Sequence, residues 1–177
     1  MSKSYPDDVI EFLQQSNYIE REPTGEALDD AVKAWEYLSH KKHLTKENLL
    51  HTHRILMKSR TTIEDRYKGA FRDGPVFIGG REAKKYYAIS MLMDNFLATV
   101  ERTIQARKAI DTLREEECSD NIKADHIMFE DIHPFFDGNG RMGRIILNWE
   151  RVKCGLPILV IKEEEKFEYY KWFENLK

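Results

Sequence analysis

Residues 133–144 read HPFFDGNGRMGR and bring a candidate base, a carboxylate, three glycines and two arginines into twelve positions. A proline follows His133, which disfavours helical geometry there and places the histidine at the end of a preceding helix. Gly138 and Gly140 allow a tight turn and a close backbone approach to a ligand. A helix starting near Asn139 or Gly140 has unpaired amides at its positive end. This stretch therefore predicts an anion site, most commonly for phosphate.

The charged side chains of this stretch suggest what the anion is. Arg141 and Arg144 are three residues apart, on neighbouring positions of one helix face. Two cations at a helix N-terminus favour a ligand with several negative charges. Asp137 would repel phosphate unless Mg²⁺ lies between them, and that ion takes oxygen ligands from both groups. His133 then stands beside a polyphosphate as a base near neutral pH. The predicted chemistry is phosphoryl or nucleotidyl transfer to a hydroxyl.

Each of these features also has a plain structural interpretation. A short Asp-Gly-Asn-Gly stretch is commonly a turn before a capped helix, and a histidine before proline commonly ends a helix. Their combination in one stretch is what favours a functional site.

The rest of the chain must position this turn, and its apolar residues mostly recur at helical spacing. Asp7 or Asp8 is predicted to cap a first helix, Thr24 a second and Thr45 a third. The polar residues 113–121 are predicted to form a loop or a helix end. The pattern indicates a bundle of helices.

One glycine-rich interruption breaks the helical pattern. The segment KGAFRDGPVFIGG contains two short apolar runs between glycines and predicts a small hairpin or extended flap at about 69–80. Phe71 belongs to one run and Val76, Phe77 and Ile78 to the other. An extended segment of this kind can add a strand from a target protein through main-chain hydrogen bonds. An ordinary connecting hairpin is an equally good interpretation of the same residues.

Composition limits the classes of function. With 41% apolar and 33% charged residues in 177, we expect one globular domain over 1–177, with N-terminal helices in 1–40 and a catalytic core in 41–177. The net charge of −3 indicates neither a nucleic-acid partner nor a membrane partner. No signal segment is visible, so we expect a cytoplasmic protein whose two cysteines, Cys118 and Cys154, are free thiols.

The opening stretch resembles the Fic family, whose signature is H-x-F-x-D/E-G-N-G-R-x-x-R. The segment GAFRDGPVFIG also resembles the flap pattern of that family. The resemblance implies an all-α fold, a Fic-type helical bundle with a small β-hairpin flap. The residues that match the signature are His133, Phe135, Asp137, Gly138, Asn139, Gly140, Arg141 and Arg144.

The resemblance also implies adenylyl transfer from ATP to a protein hydroxyl. His133 would deprotonate a Ser, Thr or Tyr of the target protein, and Asp137 would hold Mg²⁺. Phe135 would anchor the loop in the core. Self-modification and a homo-oligomer are compatible with such a protein. The residues implied in orienting or neutralising the phosphates are Gly138, Asn139, Gly140, Arg141 and Arg144.

A second short segment, SNYIER at 16–21, resembles the inhibitory motif S/T-x-x-x-E-G/N of that family. Ser16 and Glu20 are four residues apart and share one helix face. The resemblance implies that Glu20 pairs with Arg144 in a bidentate contact and occupies the γ-phosphate position. Arg21 departs from the motif, which has glycine or asparagine there.

Three other functions remain open on sequence alone. A transferase of the same fold could move a phosphate, UMP or phosphocholine, although the intact Gly-Asn-Gly-Arg turn favours AMP. A de-AMPylase would use Glu20 to orient a water. A regulatory module could bind ATP and transfer nothing, but binding alone would not require His133 as a base.

Overall fold

The computed structural model describes residues 6–109 and 115–176, and this part of the chain is mainly helical. A two-stranded antiparallel sheet lies between the third and fourth helices. The architecture confirms the expected all-α bundle with a small β-hairpin. The helices are α1 Asp7–Ile19, α2 Gly25–Ser39, α3 Lys46–Leu56, α4 Ile89–Ala109, α5 Glu115–Ile132, α6 Asn139–Lys153 and α7 Lys166–Tyr170, and the strands are β1 Phe77–Ile78 and β2 Arg81–Glu82.

Helix α6 forms the centre of the bundle, because every residue from 141 to 150 is buried. It packs against α5, and α1, α2, α3 and α4 also contact it. Phe96, Phe129 and Trp149 are almost fully buried in the core that α4, α5 and α6 share. Burying a large apolar side chain contributes about 1.5–3 kcal/mol. The helix that follows the candidate site is therefore held on all sides.

The helix starts agree with the sequence in two of three cases. The Thr24 hydroxyl accepts a hydrogen bond from the Ala27 amide at 3.1 Å, and the Thr45 hydroxyl accepts one from the Asn48 amide at 3.1 Å. The prediction for α1 was wrong, since the capping position is Pro6 and no side chain caps the helix. Asp7 and Asp8 lie in the first turn instead, where their negative charges interact favourably with the helix dipole.

The polar residues predicted as a loop largely belong to α5, whose first residue is Glu115. Residues 113–114 of that stretch lie outside the described residues. Three consecutive glutamates lie in the first turn of α5, where their negative charges interact favourably with the positive end of the helix dipole. This interaction stabilises the helix although the turn is polar. Cys118 and Ile122, four residues apart, are both buried and fix this turn against the core. Tertiary burial thus overrides the loop-like composition.

The hairpin is shorter and later in the chain than expected. Phe77 pairs with Glu82 and Ile78 with Arg81 across a turn whose two glycines have positive φ. Such a two-residue turn follows the twist of the strands it joins. Phe71 is not part of the hairpin. Its ring packs 5.8 Å from that of Phe135, so the first apolar run contributes to the core.

The helices and the two cysteines can be compared with the sequence-based expectations. Within residues 6–109 and 115–176, no helix combines the length and the apolar character needed to span a membrane. Cys118 and Cys154 are both free and buried.

Candidate active site

The turn between α5 and α6 is closed by one asparagine. The side chain of Asn139 accepts a hydrogen bond from the Phe135 amide and donates one to the Phe135 carbonyl, both at 2.9 Å. Gly138 has φ +80°, and a Cβ there would lie 2.6 Å from the sulfur of Met57. The side chain of Asn139 is buried and bound to the loop itself. Asn139 therefore braces the turn, and its implied part in orienting phosphates stays a prediction.

The buried side chain of His53 packs against the turn between α5 and α6. The ring of His53 stacks on Phe135 with centroids 3.7 Å apart and planes 5° apart. Its Nδ1 accepts a hydrogen bond from the Gly69 amide at 2.9 Å, so Nε2 carries the proton and donates to the Asp137 carbonyl at 3.0 Å. Burial lowers the pKa of His53 to about 4, which keeps the ring neutral. Phe135 is fully buried, as an anchoring role requires.

His133 lies at the end of α5 in a left-handed conformation, with φ +50°. Its Nδ1 is buried and has no hydrogen bond among the described residues. Burial lowers the pKa of the imidazole to about 4, with a smaller opposing contribution from the Glu130 main chain. The ring is therefore neutral at physiological pH. Since Nδ1 is the enclosed nitrogen, Nε2 is the one that a ligand can reach.

The position of His133 depends on Arg72, which the sequence analysis did not single out. The buried guanidinium donates from Nε to the His133 carbonyl at 2.7 Å and from Nη1 to the Gly74 carbonyl at 2.8 Å. Its Nη2 donates to the Lys84 carbonyl and, at 3.4 Å, to the Ile132 carbonyl. One side chain thus joins the end of α5 to both sides of the flap.

A surface ion pair adds a second link between the flap and α5. Asp131 accepts from Arg81 Nη2 at 3.1 Å and lies 2.7 Å from Lys84 Nζ. The hairpin is therefore held beside the turn between α5 and α6, both at its base and at its second strand. Ile78 faces the same cavity as His133, whereas Val76 and Phe77 do not line it, and Phe77 is 69% exposed.

Arg144 is buried and surrounded by groups from the two ends of the chain. Its Nη2 donates to Glu20 Oε1 at 2.7 Å and to the Ser16 carbonyl at 3.1 Å, and its Nε donates to the Ser16 hydroxyl at 2.8 Å. Nη1 lies 3.4 Å from the Tyr169 hydroxyl. Burial alone would lower the pKa of the guanidinium, but the facing Tyr169, Glu20 and Glu130 raise it. Arg144 is therefore a fixed cation.

The Glu20 contact differs in form from the expected bidentate pair. A single carboxylate oxygen contacts Arg144, and Ser16 takes the remaining donors that face α1. Arg21 has φ +59°, a left-handed conformation that glycine and asparagine adopt most readily. The departure at this position therefore costs backbone strain at the end of α1. Arg21 is exposed.

Asp137 and Arg141 have contacts different from those of Arg144. Asp137 accepts from Arg60 Nε at 3.0 Å and from the Gly138 amide at 2.7 Å. Arg141 is buried, and its Nη2 lies 3.2 Å from the sulfur of Met57. Neither residue lines the cavity that contains Arg144. Among the described residues, no three His, Cys, Asp or Glu side chains converge as a metal site.

A cavity of about 980 Å³ opens at the N-terminus of α6. This volume is at the upper end of the range for small-molecule sites. His133, Gly140 and Arg144 line one side with Glu20, and a Cβ at Gly140 would overlap Glu20 Oε1. The tip of the hairpin forms a second side. The C-terminal segment forms the third, with the aromatic residues Phe167, Tyr169, Tyr170 and Phe173.

Two residues of this cavity were missed or given another role by the sequence analysis. One of them is Tyr169, in the aromatic C-terminal segment. It is buried, and its hydroxyl lies 2.8 Å from His126 Nε2 and within reach of Arg144. Glu130 was not considered, although it precedes His133 by three residues and therefore lies one helical turn away.

Comparison with known proteins places this site in a family. The family described as Fic/DOC matches residues 43–150, and the chain belongs to it. The chain is similar to protein adenylyltransferase Fic of Drosophila erecta, with 29% identity over 137 residues, or 77% of this chain and 26% of that protein. It is also similar to protein adenylyltransferase Fic of Aedes aegypti, with 27% identity over 131 residues, or 74% of this chain and 24% of that protein.

A probable protein adenylyltransferase of Aquifex aeolicus is 44% identical over 64 residues, or 34% of this chain and 20% of that protein. The chain thus spans about a quarter of the length of these curated relatives. Among solved structures, Fic-1 from C. elegans has a TM-score of 0.76 at 16% identity, covering 97% of this chain and 58% of that one. A Fic domain protein from Bacteroides thetaiotaomicron has a TM-score of 0.73 at 21% identity, with 92% and 69% covered.

Proposed function

We propose that this chain is a protein adenylyltransferase that moves AMP from ATP to a Ser, Thr or Tyr hydroxyl of a target protein. The observation that carries the proposal is the convergence of a neutral His133, the amide end of α6 at Gly140 and the buried cation Arg144 on one cavity. The names of the curated relatives support it. A site that only bound ATP would not require a base at this position.

The proposed reaction assigns a step to each of these groups. Nε2 of His133 takes the proton of the target hydroxyl as that oxygen attacks the α-phosphorus. A new oxygen–phosphorus bond forms and the bond to the β-phosphate oxygen breaks, so pyrophosphate leaves with the electron pair. The amides at the start of α6 and the guanidinium of Arg144 stabilise the negative charge on the phosphates. Arg141, enclosed beside Met57, contributes its charge to the same helix end.

Mg²⁺ is part of the proposal, with Asp137 as its protein ligand. The Asp137 side chain is 37% exposed, and a single carboxylate together with substrate phosphates and water is a donor set typical of Mg²⁺. When bound, the ion would neutralise charge on the phosphates. Arg60 shares the Asp137 carboxylate, so the ion and the guanidinium compete for it.

We further propose that α1 inhibits the transfer. Glu20 and Ser16 take the donors of Arg144 that a terminal phosphate would otherwise use. The Glu20 side chain is 37% exposed while that of Arg144 is 3% exposed, so the glutamate is the member of the pair that can leave. Release of the C-terminal turn of α1 would free Arg144 for ATP.

For the target, we propose that the flap aligns an extended segment beside His133. Ile78 lines the cavity, and Arg72 and Asp131 hold the hairpin in place. Strand addition needs only main-chain groups, so it would position a hydroxyl while reading few side chains.

The experiment compares wild type, Glu20→Gly and His133→Ala with α-labelled and γ-labelled ATP, Mg²⁺ and a cell extract. Label from the α-position should appear on protein, increase in Glu20→Gly and be absent in His133→Ala. The same reactions without extract detect self-modification. Transfer of the γ-label instead would indicate a kinase, and ATP binding without transfer in any variant would contradict the proposed activity.

A further inference from the structure

The carboxyl group of Glu130 lies at the back of the proposed active site. Its side chain is 14% exposed and lines the cavity, and Oε2 is 3.9 Å from Nδ1 of His133. Oε1 is buried and makes no hydrogen bond among the described residues. An unpaired buried polar group is costly, so such a group in a cavity calls for an explanation.

Space for this carboxyl is created by a glycine of α6. A Cβ at Gly143 would overlap Oε1 of Glu130 and would lie 2.9 Å from Cε1 of His126. Position 143 is one of the two unspecified positions between the arginines of the signature, so the motif itself does not require a glycine there. Gly143 therefore leaves the space that the buried carboxyl group of Glu130 occupies.

The imidazole also lacks a partner at the same place. A base that works through Nε2 must carry its proton on Nδ1, and a hydrogen-bond acceptor at Nδ1 fixes that tautomer. Nδ1 of His133 is buried without a hydrogen bond of good geometry among the residues described, and the main chain of Glu130, which also faces the ring, raises its pKa. The distance of 3.9 Å to Glu130 Oε2 is too long for a hydrogen bond, and a small movement of either side chain would close it.

We propose that Glu130 is a positioning residue for His133, whose carboxylate holds the Nδ1 proton so that Nε2 is basic and stabilises the imidazolium formed during transfer. This inference rests on the proposed adenylyl transfer. The proton goes from the target hydroxyl to Nε2, and Glu130 keeps the second ring proton in place. Because burial disfavours the charged ring, a facing carboxylate offsets that cost at the moment when the charge forms.

The charged and titratable groups around Glu130 connect this role with inhibition. Glu20 of α1, Arg144 of α6 and Tyr169 of α7 face it, along with His126 and His133 from its own side. Burial raises the pKa of Glu130 to about 8, Arg144 lowers it, and Glu20 raises it further. Glu20 therefore opposes, and Arg144 favours, the carboxylate form that the proposed role requires.

The test uses the full chain with Glu20→Gly as the active background. Adding Glu130→Gln should lower kcat by about 10- to 100-fold, with KM for ATP within about twofold, because an amide cannot stabilise the imidazolium. Glu116→Gln, an exposed position at the start of the same helix, is the matched control and should change neither constant. Gly143→Ala should reproduce the loss of kcat by displacing the carboxyl.

A second measurement does not depend on turnover. NMR of the imidazole nitrogens of His133, assigned by comparison with His133→Ala, should give a lower pKa and a less uniform tautomer in Glu20→Gly/Glu130→Gln than in Glu20→Gly. Equal kcat in the two proteins, or an unchanged His133 signal, would overturn the role of Glu130. If Glu20→Gly itself transfers no α-label, the proposed function fails, and the NMR comparison still decides whether Glu130 holds the ring.

Discussion

Glu20 Oε1 lies 2.7 Å from Nη2 of Arg144, although the two residues are 124 positions apart in the chain. The contact joins the C-terminal end of α1 to the first turns of α6. Ser16 contributes two more hydrogen bonds to the same guanidinium, at 2.8 and 3.1 Å. The surface through which α1 is proposed to inhibit is therefore a pair of residues one helical turn apart.

This arrangement predicts graded release. Ser16→Ala removes the hydroxyl acceptor but keeps the main-chain contact and the Glu20 ion pair, so it should raise adenylylation only part of the way towards Glu20→Gly. A hydrogen bond that involves a charged group contributes about 1.5–3 kcal/mol, which corresponds to an increase of at most roughly 12- to 160-fold. Initial rates with α-labelled ATP measure the effect. Equal rates for Ser16→Ala and Glu20→Gly would mean that the helix is displaced as a unit.

Arg72 provides a prediction about positioning. Arg72→Lys keeps the charge but loses the planar fork that reaches the carbonyls of His133, Gly74 and Lys84 together. In the Glu20→Gly background we expect kcat to fall at least about tenfold with little change in ATP affinity, because His133 is misplaced while Arg144 is not. Arg66→Lys, which alters an exposed arginine, is the control. A change in ATP affinity alone would contradict this interpretation.

The local geometry of the turn could be predicted from the sequence, but the side chains that support it from elsewhere in the chain could not. The turn, its glycines and the start of α6 depend on residues within a few positions of one another, so their spacing predicts them. The contacts of Arg72 with His133 and of His53 with the Asp137 carbonyl join residues 61 and 84 positions apart. Side-chain types alone give no signal for such pairs.

The errors in the fold have the same origin. Residues 115–121 have a loop-like composition, but burial of Cys118 and Ile122 makes them helical. Phe71 has the pattern of a strand residue, yet its ring packs against Phe135. In each case tertiary packing decides among local options.

His53 allows a prediction for acid stability. Its pKa of about 4 in the folded protein lies below its ordinary value of 6.5, so the unfolded chain binds the proton first. Stability should therefore fall as pH decreases from about 6.5 towards 4, with no contribution from this group above that window. His53→Phe should show a shallower fall and should be less stable at pH 7 by about 1–3 kcal/mol, because the Gly69 amide and Asp137 carbonyl lose their partner. Urea unfolding across the range measures both effects, and an equally steep fall in the variant would contradict the assignment.

A buried carboxyl pair gives the opposite dependence on pH. Burial and the neighbouring Asp125 raise the pKa of Glu150 to about 11, well above its ordinary 4.5. Between pH 4.5 and about 11 the folded state retains that proton while the unfolded state releases it. The stability of the protein should therefore decline as pH rises through this interval. Glu150→Gln keeps the shape and stays neutral. It should raise the Tm at pH 8 by roughly 2–10 °C and flatten the dependence on pH. Glu164→Gln, at an exposed position, is the control and should change neither the Tm nor its dependence on pH.

The last prediction concerns the proposed metal ion. Oδ2 of Asp137 is 3.0 Å from Nε of Arg60, and Arg60 also contacts Glu22, so the guanidinium is held where it competes for the metal ligand. Removing it with Arg60→Ala should lower the Mg²⁺ concentration that gives half-maximal adenylylation in the Glu20→Gly background. Partly exposed ion pairs are worth about 0.2–1 kcal/mol, so the shift should be roughly 1.5- to 5-fold. Arg54→Ala, an exposed arginine of α3, serves as the control. Loss of a competitor can only make the Asp137 carboxylate easier for the ion to reach. A higher Mg²⁺ concentration for half-maximal adenylylation in Arg60→Ala would therefore contradict competition and would mean that the guanidinium orients Asp137 for the ion.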